Sequence, residues 1–365
     1  MGESGPGSRR NARVIMPVAL IVGATGLVGA YIARKLKRSG WRCIGMGRHR
    51  PADLAACSLD GFVTCDLLDP TACRGVRAEL ADVSHVFHLA RVLNAGYAIP
   101  IKENERMLLN LLDALEGAPD LAHVQIMHGL KWYGSHQHPF AIPARESGPR
   151  PAGVQTFYYA QRDAVEKRQR GQRWTFSTLR PHCVSGVSVG SPSNLMLGIG
   201  MLGALMKETG QPLRYPGSAQ AFSAQLTYTD AGLLADAMHW AATSPAAANQ
   251  DFNVANGDVF SWEQVWPKLG AYFGVETGAP GIDGFSEEMA GMKGVWHSMA
   301  RRHGLAPHAY ESLVSWPFVQ ASLGLAWDQV MSTDKLAQHG FTQRIDTLAM
   351  IFRILDNYRE LRIIP

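Results

Sequence analysis

The feature that most constrains this chain is a glycine-spaced turn set between an apolar run and a helical pattern. Val18 to Val22 is uninterrupted in its apolarity, Gly23-Ala24-Thr25-Gly26-Leu27-Val28-Gly29 follows directly, and apolar residues then recur at helical spacing as far as Arg38. A strand that enters a helix through such a turn lets the backbone approach a pyrophosphate closely, and the helix N-terminus favours the phosphate charge. Gly23, Thr25, Gly26, Leu27, Val28 and Gly29 are therefore expected to contact a dinucleotide. The same turn interrupts the uncharged stretch 14–33, which otherwise imitates a signal anchor behind Arg9, Arg10 and Arg13. Glycine and proline at these spacings suit a strand–turn–helix far better than a membrane segment.

Beyond the turn, strand-like and helix-like patterns alternate. Strands are expected at 43–47, 62–65, 86–89, 124–127 and 175–179, and helices at 72–80, 104–115 and Phe157–Gln169. Six strands alternating with helices predict an α/β fold: a doubly wound parallel sheet of the Rossmann type, as in extended short-chain dehydrogenases. After Pro181 the regularity lapses. A buried helix is expected at 195–206, a helix at 230–242 and a strand at 251–256, and Ser261 with Gln264 forms a capping pair before another helix. The remainder is helical in pattern and carries Trp262, Trp266, Trp296, Trp316 and Trp327. The expected organisation is a flexible tail over 1–13 and a cofactor domain over 14–187 with a returning segment at about 222–258. A smaller helix-rich substrate lobe takes 188–221 and 259–365.

The end of the second strand bears on which dinucleotide binds. A carboxylate there accepts from the ribose 2′-hydroxyl of NAD, whereas cations suit the 2′-phosphate of NADP. This chain has Arg48-His49-Arg50 and no acid, and a guanidinium matches phosphate geometry, so NADPH/NADP+ is the expected cofactor. Asp66, just past the third strand, is placed to accept from the adenine amino group. Leu67, Leu89, Ala90, Met127 and Val184 complete the expected cofactor contacts.

Several stretches carry a more specific resemblance: Gly129-Leu130-Lys131-Trp132-Tyr133-Gly134, Phe157-Tyr158-Tyr159, Arg180-Pro181, and Phe252-Asn253-Val254-Ala255-Asn256-Gly257-Asp258-Val259-Phe260-Ser261-Trp262. With these the chain resembles, from Val18 to Pro365, the progesterone 5β-reductase and iridoid synthase family of atypical extended short-chain dehydrogenases. Ordinary short-chain dehydrogenases pair a tyrosine with a lysine one helical turn later. Here Arg162 and Asp163 follow Tyr158 and Tyr159 by four residues, so that pair is absent. The resemblance instead implies Tyr158 and Lys131 as the catalytic pair. It implies hydride transfer to the β-carbon of an enone or enal, with Tyr158 also touching the cofactor and Lys131 sharing in holding its ribose.

The chain departs from the family pattern at several positions. Arg91 stands where the family carries a pocket tryptophan, His49 replaces the second arginine of the cofactor pair, and His128 replaces a threonine. The segment Pro181-His182-Cys183-Val184-Ser185-Gly186 replaces Pro-Gly-Asn-Ile-Phe-Gly. Substrate identity therefore does not transfer. Arg91 suits a polar or anionic substrate if it faces the cavity and is otherwise a surface or interface arginine. Trp316 and Phe318 are weaker candidates for the pocket wall.

Other chemistries find less support. Gly186-Val187-Ser188-Val189-Gly190 fits a hydrolase elbow, but Ser191-Pro192-Ser193-Asn194 intervenes before the next helix and no glycine-rich oxyanion loop follows the third strand. His128, His136 and His138 lack a local carboxylate or cysteine to complete a metal site, so no metal is expected. Of 365 residues, 46% are hydrophobic and 18% are charged, and the net charge is +4. The chain can bury a large core, and it lacks the basic stripe with interleaved aromatics that nucleic acid requires. Its one basic run, 162–173, reads as the solvated face of a helix. Five cysteines without paired spacing suit a reducing, cytoplasmic compartment, and neither nucleic acid nor membrane is an expected partner. Relatives suggest a homodimer by analogy alone. Three functions stay open: enone or enal reduction, carbonyl reduction or epimerase-type chemistry, and non-catalytic NADP(H) binding.

Overall fold

The computed structural model describes residues 16–92, 100–191 and 193–365; the expected tail over 1–13 lies outside them. The strands run in chain order as β1 (Val18–Val22), β2 (Arg42–Gly47), β3 (Gly61–Thr64), β4 (His85–His88), β5 (His123–Met127) and β6 (Thr175–Pro181). The two-residue β7 (Val184–Ser185), β8 (Leu213–Arg214) and β9 (Thr229–Asp230) follow, and then β10 (Gln250–Val254). Seven of them form one parallel sheet in the order β10-β6-β5-β4-β1-β2-β3. The seventh strand, β10, falls where a strand is expected at 251–256, inside the segment 222–258 expected to return to the cofactor domain. β10 extends the sheet beyond β6, with Phe252 opposite Leu179, and closes what would otherwise be an exposed edge.

Both faces of the sheet are covered, which is why its strands read as apolar runs. Side chains of β1 alternate between two cores. Val18, Leu20 and Val22 pack with α3 (Ile101–Ala114) and α4 (Phe157–Gln169), after α1 (Leu27–Arg38) and the short α2 (Pro70–Gly75). Ala19 and Ile21 face Ile32 and Leu36 of α1 and Leu233, Leu234 and Met238 of α7 (Ala231–Thr243), which follows α5 (Leu195–Thr209) and α6 (Ala219–Ser223). The helix expected over 72–80 is two pieces, α2 and a 3₁₀ turn at Arg77–Leu80, broken at Gly75–Val76. The strand order reverses between β1 and β4, so the crevice at their C-terminal ends is the topological switch point where such sheets bind ligands.

The second lobe is built around α5, whose residues from Leu195 to Met206 are all buried. Trp262, Trp266, Trp296 and Trp316 join it in one apolar core. The expected capping pair is present: the Ser261 hydroxyl accepts from the Gln264 amide and the Gln264 side chain accepts from the Ser261 amide at the start of α8 (Trp262–Phe273). Two short parallel pairs, β7 with β9 and β8 with β11 (Thr277–Gly278), complete the strands. The two parts share several ties. The Asp230 carboxylate caps α7 and pairs with Arg353 of the last helix, Thr347–Glu360. The Trp327 indole N–H donates to the Ser135 carbonyl at 3.1 Å.

Candidate active site

Two turns at the C-terminal edge of the sheet define the site. The first joins β1 to α1. Gly23 has φ +87°, and a Cβ there would lie 3.1 Å from the Ala90 amide nitrogen, so only glycine lets β1 exit against β4. A Cβ on Gly29 would lie 2.3 Å from the Gly23 carbonyl oxygen, so the third glycine lets the helix seat on the turn. Gly26 is different: a Cβ there would meet only the Gly23 oxygen, at 3.4 Å, and would jut into the space above the turn. α1 begins at this point with no side-chain cap and no acidic residue in its first turn. Its first amides thus lack intrahelical acceptors. The cradle fits the pyrophosphate of a dinucleotide.

Around it stand the other expected contacts. Arg48, His49 and Arg50 are exposed beyond β2. Arg48 has no protein partner among the described residues, whereas the Arg50 guanidinium donates to the Phe62 carbonyl at 3.3 Å. The Asp66 carboxylate accepts from the Leu68 amide through Oδ1, and the Leu67 carbonyl accepts from buried Asn110 at 2.7 Å. Leu89, Ala90, Met127 and Val184 are half-buried at strand ends.

The second turn leaves β5. The amide of His128 donates to the Leu179 carbonyl, and Leu130–Tyr133 then makes one 3₁₀ turn bearing Lys131. Opposite it α4 starts at a Thr156 cap with the aromatic run Phe157-Tyr158-Tyr159. The three rings divide the work. Phe157 packs on Tyr158 at 4.5 Å between centroids, and the Tyr159 hydroxyl donates to the Trp132 carbonyl at 2.6 Å. Tyr158 is buried, yet its hydroxyl has no protein partner among the described residues. A Cβ on Gly129 would sit 3.2 Å from that hydroxyl and 3.3 Å from the Pro181 carbonyl oxygen. Glycine at 129 therefore lets the phenol reach the sheet edge.

Burial raises the Tyr158 pKa, an effect the Arg91 guanidinium partly offsets. The phenol is thus a hydrogen-bond donor at neutral pH. Lys131 is exposed to solvent, but the protein packed around it, and then Arg91, lower its pKa. Arg91 thus acts on both members of the expected pair.

Sequence reasoning missed the platform behind this turn. Arg180, wholly buried on β6, pairs with Asp251 of β10 at 3.1 Å, donates to the Tyr133 hydroxyl at 3.2 Å, and stacks 3.7 Å from the centre of the Trp132 ring. Trp132 stacks on His128, and His128 lies against Tyr158 at 4.8 Å between centroids. Burial works to raise the Asp251 pKa, but Arg180 and Arg162 outweigh it and hold the carboxyl below its ordinary value. Arg162 is itself a correction. Instead of lying on a solvated face, it donates to Asp251 at 2.8 Å, pairs with Glu166 and covers the Phe176 ring. Asp251 lies opposite Thr178 and Arg180 opposite Asn253, so the diagonal pair becomes visible in the sequence only once β10 is known to neighbour β6.

The remaining candidates divide between site and core. The Trp316 indole donates to the Tyr310 hydroxyl inside the second lobe, and Phe318 is half-buried against the same core. The Ser188 amide and carbonyl are both bound by the Tyr358 hydroxyl, in a loop that runs on to α5 rather than in a tight strand-to-helix elbow. No three His, Cys, Asp or Glu side chains converge on a metal-sized site among the described residues. Nor is any described helix long and apolar enough to cross a membrane.

The profile of the PRISE-like Rossmann-fold domain matches residues 68–365. The chain belongs to this family. Two PRISE-like relatives are a 3-oxo-Delta(4,5)-steroid 5-beta-reductase of Arabidopsis thaliana and an (S)-8-oxocitronellyl enol synthase of Nepeta racemosa. Each is 32% identical over 95% of this chain and 93% of its own length. Among solved structures, the UDP-glucose 4-epimerase of Thermus thermophilus, determined with NAD, superposes with TM-score 0.63 over 94% of this chain and 99% of its own, at 16% identity. That likeness is one of fold. With these relatives the chain is an oxidoreductase of the short-chain dehydrogenase/reductase superfamily.

Proposed function

We propose that this PRISE-like protein is an NADPH-dependent reductase of activated C=C bonds, with an enone or enal as substrate. The observation that carries the reading is the Tyr158 hydroxyl, free of partners among the described residues and held beside Gly129 at the edge of the dinucleotide crevice. The names of the two relatives, a steroid 5-beta-reductase and an enol synthase, support the same chemistry. For the coenzyme, support comes from unpaired Arg48 and the lack of any acid in Arg48-His49-Arg50.

The Gly23–Gly29 turn and the uncapped start of α1 would hold a reduced nicotinamide dinucleotide, which would supply a hydride. As the β-carbon accepts it, the electron pair of the C=C bond moves toward the carbonyl and negative charge grows on its oxygen. Tyr158, protonated because it is buried, donates a hydrogen bond to that oxygen. Lys131 adds a positive charge nearby, stabilising the enolate until the α-carbon or the oxygen takes a proton. The Trp132–His128 stack behind Tyr158 fixes the ring, so orientation is in place before substrate arrives.

Incubation with NADPH and 2-cyclohexen-1-one, followed by product analysis, tests the reading. Cyclohexanone as product supports it. An allylic alcohol would instead support carbonyl reduction on the same scaffold. Tight NADPH binding with no turnover of any enone or ketone would favour a non-catalytic role.

A further inference from the structure

Arg91 is the position where this chain's chemistry is most its own. It follows β4 by three residues, as Gly129 follows Ile126 of β5 by three, and β4 and β5 pair with His88 opposite Ile126. The two segments thus leave adjacent strands at the same height, and Arg91 lies near enough to Lys131 and Tyr158 to act on the charge of both. Its guanidinium is exposed and has neither a hydrogen bond nor an ion pair among the described residues. Residues 93–99, which follow it, contain no Asp or Glu.

The surroundings add charge of one sign. Lys131 stands on the facing turn, and His136 lies close enough for Lys131 to lower its pKa, with its Nδ1 buried and unpartnered. The side chains acting on Lys131, Tyr158 and His136 are Arg91, Lys131 and His138, and no described carboxylate is among them. Elsewhere on the molecule several exposed cations are matched: Lys37 with Asp60, Arg145 with Asp334, Lys293 with Glu311. Two cations side by side with no counterion repel each other, and an anion arriving between them relieves the repulsion.

We infer that the substrate carries an anionic group, a carboxylate or phosphate, which Arg91 receives beside Lys131 while the reacting carbonyl meets Tyr158. The inference rests on the reductase reading and narrows its substrate class. A guanidinium next to a crevice that takes a pyrophosphate could serve that anion instead, so the test separates the two sources.

The probes are 4-(3-oxocyclohex-1-enyl)butanoate and its methyl ester, which share one enone and differ in a remote charge. Wild-type kcat/KM should favour the acid by about tenfold, the scale of one charge-assisted contact near the surface. The preference should fall with rising ionic strength. In Arg91→Gln the acid-to-ester ratio should approach one, and Arg91→Lys should restore part of it. Equal kcat/KM for acid and ester in the wild type would overturn the inference while leaving the reductase reading standing. So would an Arg91→Gln variant that loses NADPH affinity but keeps the wild-type ratio, because the arginine would then serve the cofactor. Should neither probe be reduced, the reductase reading fails. The pair is then compared as ligands of the NADP+-loaded protein by calorimetry: tighter binding of the acid, abolished by Arg91→Gln, supports the anion site, and equal affinities overturn it.

Discussion

The two turns at the sheet edge are built on opposite principles. At Gly23–Gly29 the chain removes side chains so that the backbone itself becomes the binding surface; the obstacles to a Cβ at Gly23 and Gly29 are backbone atoms. At Gly129–Tyr133 glycine serves a side chain, since the nearest atom to a Cβ on Gly129 is the Tyr158 hydroxyl. A backbone site is written locally, in seven consecutive residues. A side-chain site is assembled from four segments, at 91, 128–133, 157–159 and 180–181, that meet only in the fold. The first turn should therefore fail by losing structure and cofactor, and the second by losing turnover.

The largest effect expected is at the centre of the second turn. Tyr158→Phe removes the hydroxyl but keeps the ring that packs on Phe157 and His128. Steady-state kcat should fall by about 10²–10⁴-fold, the usual worth of a positioned proton donor, with NADPH affinity little changed in a fluorescence titration. Equal turnover by the variant would remove Tyr158 from the mechanism.

A matched pair of alanine substitutions sharpens the contrast. Gly29→Ala sets a methyl 2.3 Å from the Gly23 oxygen and 2.7 Å from the Ala24 Cα, neither of which can yield without moving the turn. Overpacking of this kind costs about 1–3 kcal/mol, which thermal unfolding would read as a lower Tm, together with weaker NADPH binding. Gly129→Ala sets its methyl 3.2 Å from the Tyr158 hydroxyl and 3.3 Å from the Pro181 carbonyl oxygen, contacts that a shift of a few tenths of an ångström relieves. Stability should barely change, while kcat/KM drops about tenfold through misplacement of the hydroxyl. If both variants lose stability equally, the distinction between the turns is false.

A smaller effect is expected at the rim of the first turn. Arg48→Gln removes a cation that has no partner among the described residues, so stability should hold while the NADPH-over-NADH preference in kcat/KM falls by about tenfold. An unchanged preference would move 2′-phosphate recognition elsewhere.

The same contrast explains what is legible in the sequence. The Gly23–Gly29 turn, the Ser261–Gln264 cap and the helix Phe157–Gln169 are each specified by residues close in sequence, and each reads off the chain with little error. The strand at 251–256 is legible too, but its pairing with β6 is not, because its partner residues are remote in the chain. Arg162 reads as solvated for the same reason: its partner Asp251 is 89 positions away. The candidate pair Tyr158 and Lys131 is nameable only through family resemblance, since neither residue's neighbours in sequence reveal that Gly129 and Arg91 surround it. Nothing beside Trp132 in the chain announces its role either. It is the slab between Arg180 and His128 only because three segments meet.

The finest probe of the second turn is its pH dependence. Tyr158 is held protonated by burial, so it contributes no acidic limb and titrates only above the ordinary phenol range. Lys131 is charged below its pKa, and both its surroundings and Arg91 bring that pKa under the ordinary 10.5. Its contribution is therefore present at neutral pH and lost as pH rises through the lowered value. The alkaline limb of kcat/KM for a neutral enone should fall below 10.5 and should be absent in Lys131→Met. In Arg91→Gln the repulsion between like charges is gone, so the limb should move upward. It should not return fully to 10.5, because burial is the larger of the two causes. A limb that stays fixed in Arg91→Gln would show that the two cations do not sense each other, and would leave burial as the cause of the lowered Lys131 pKa.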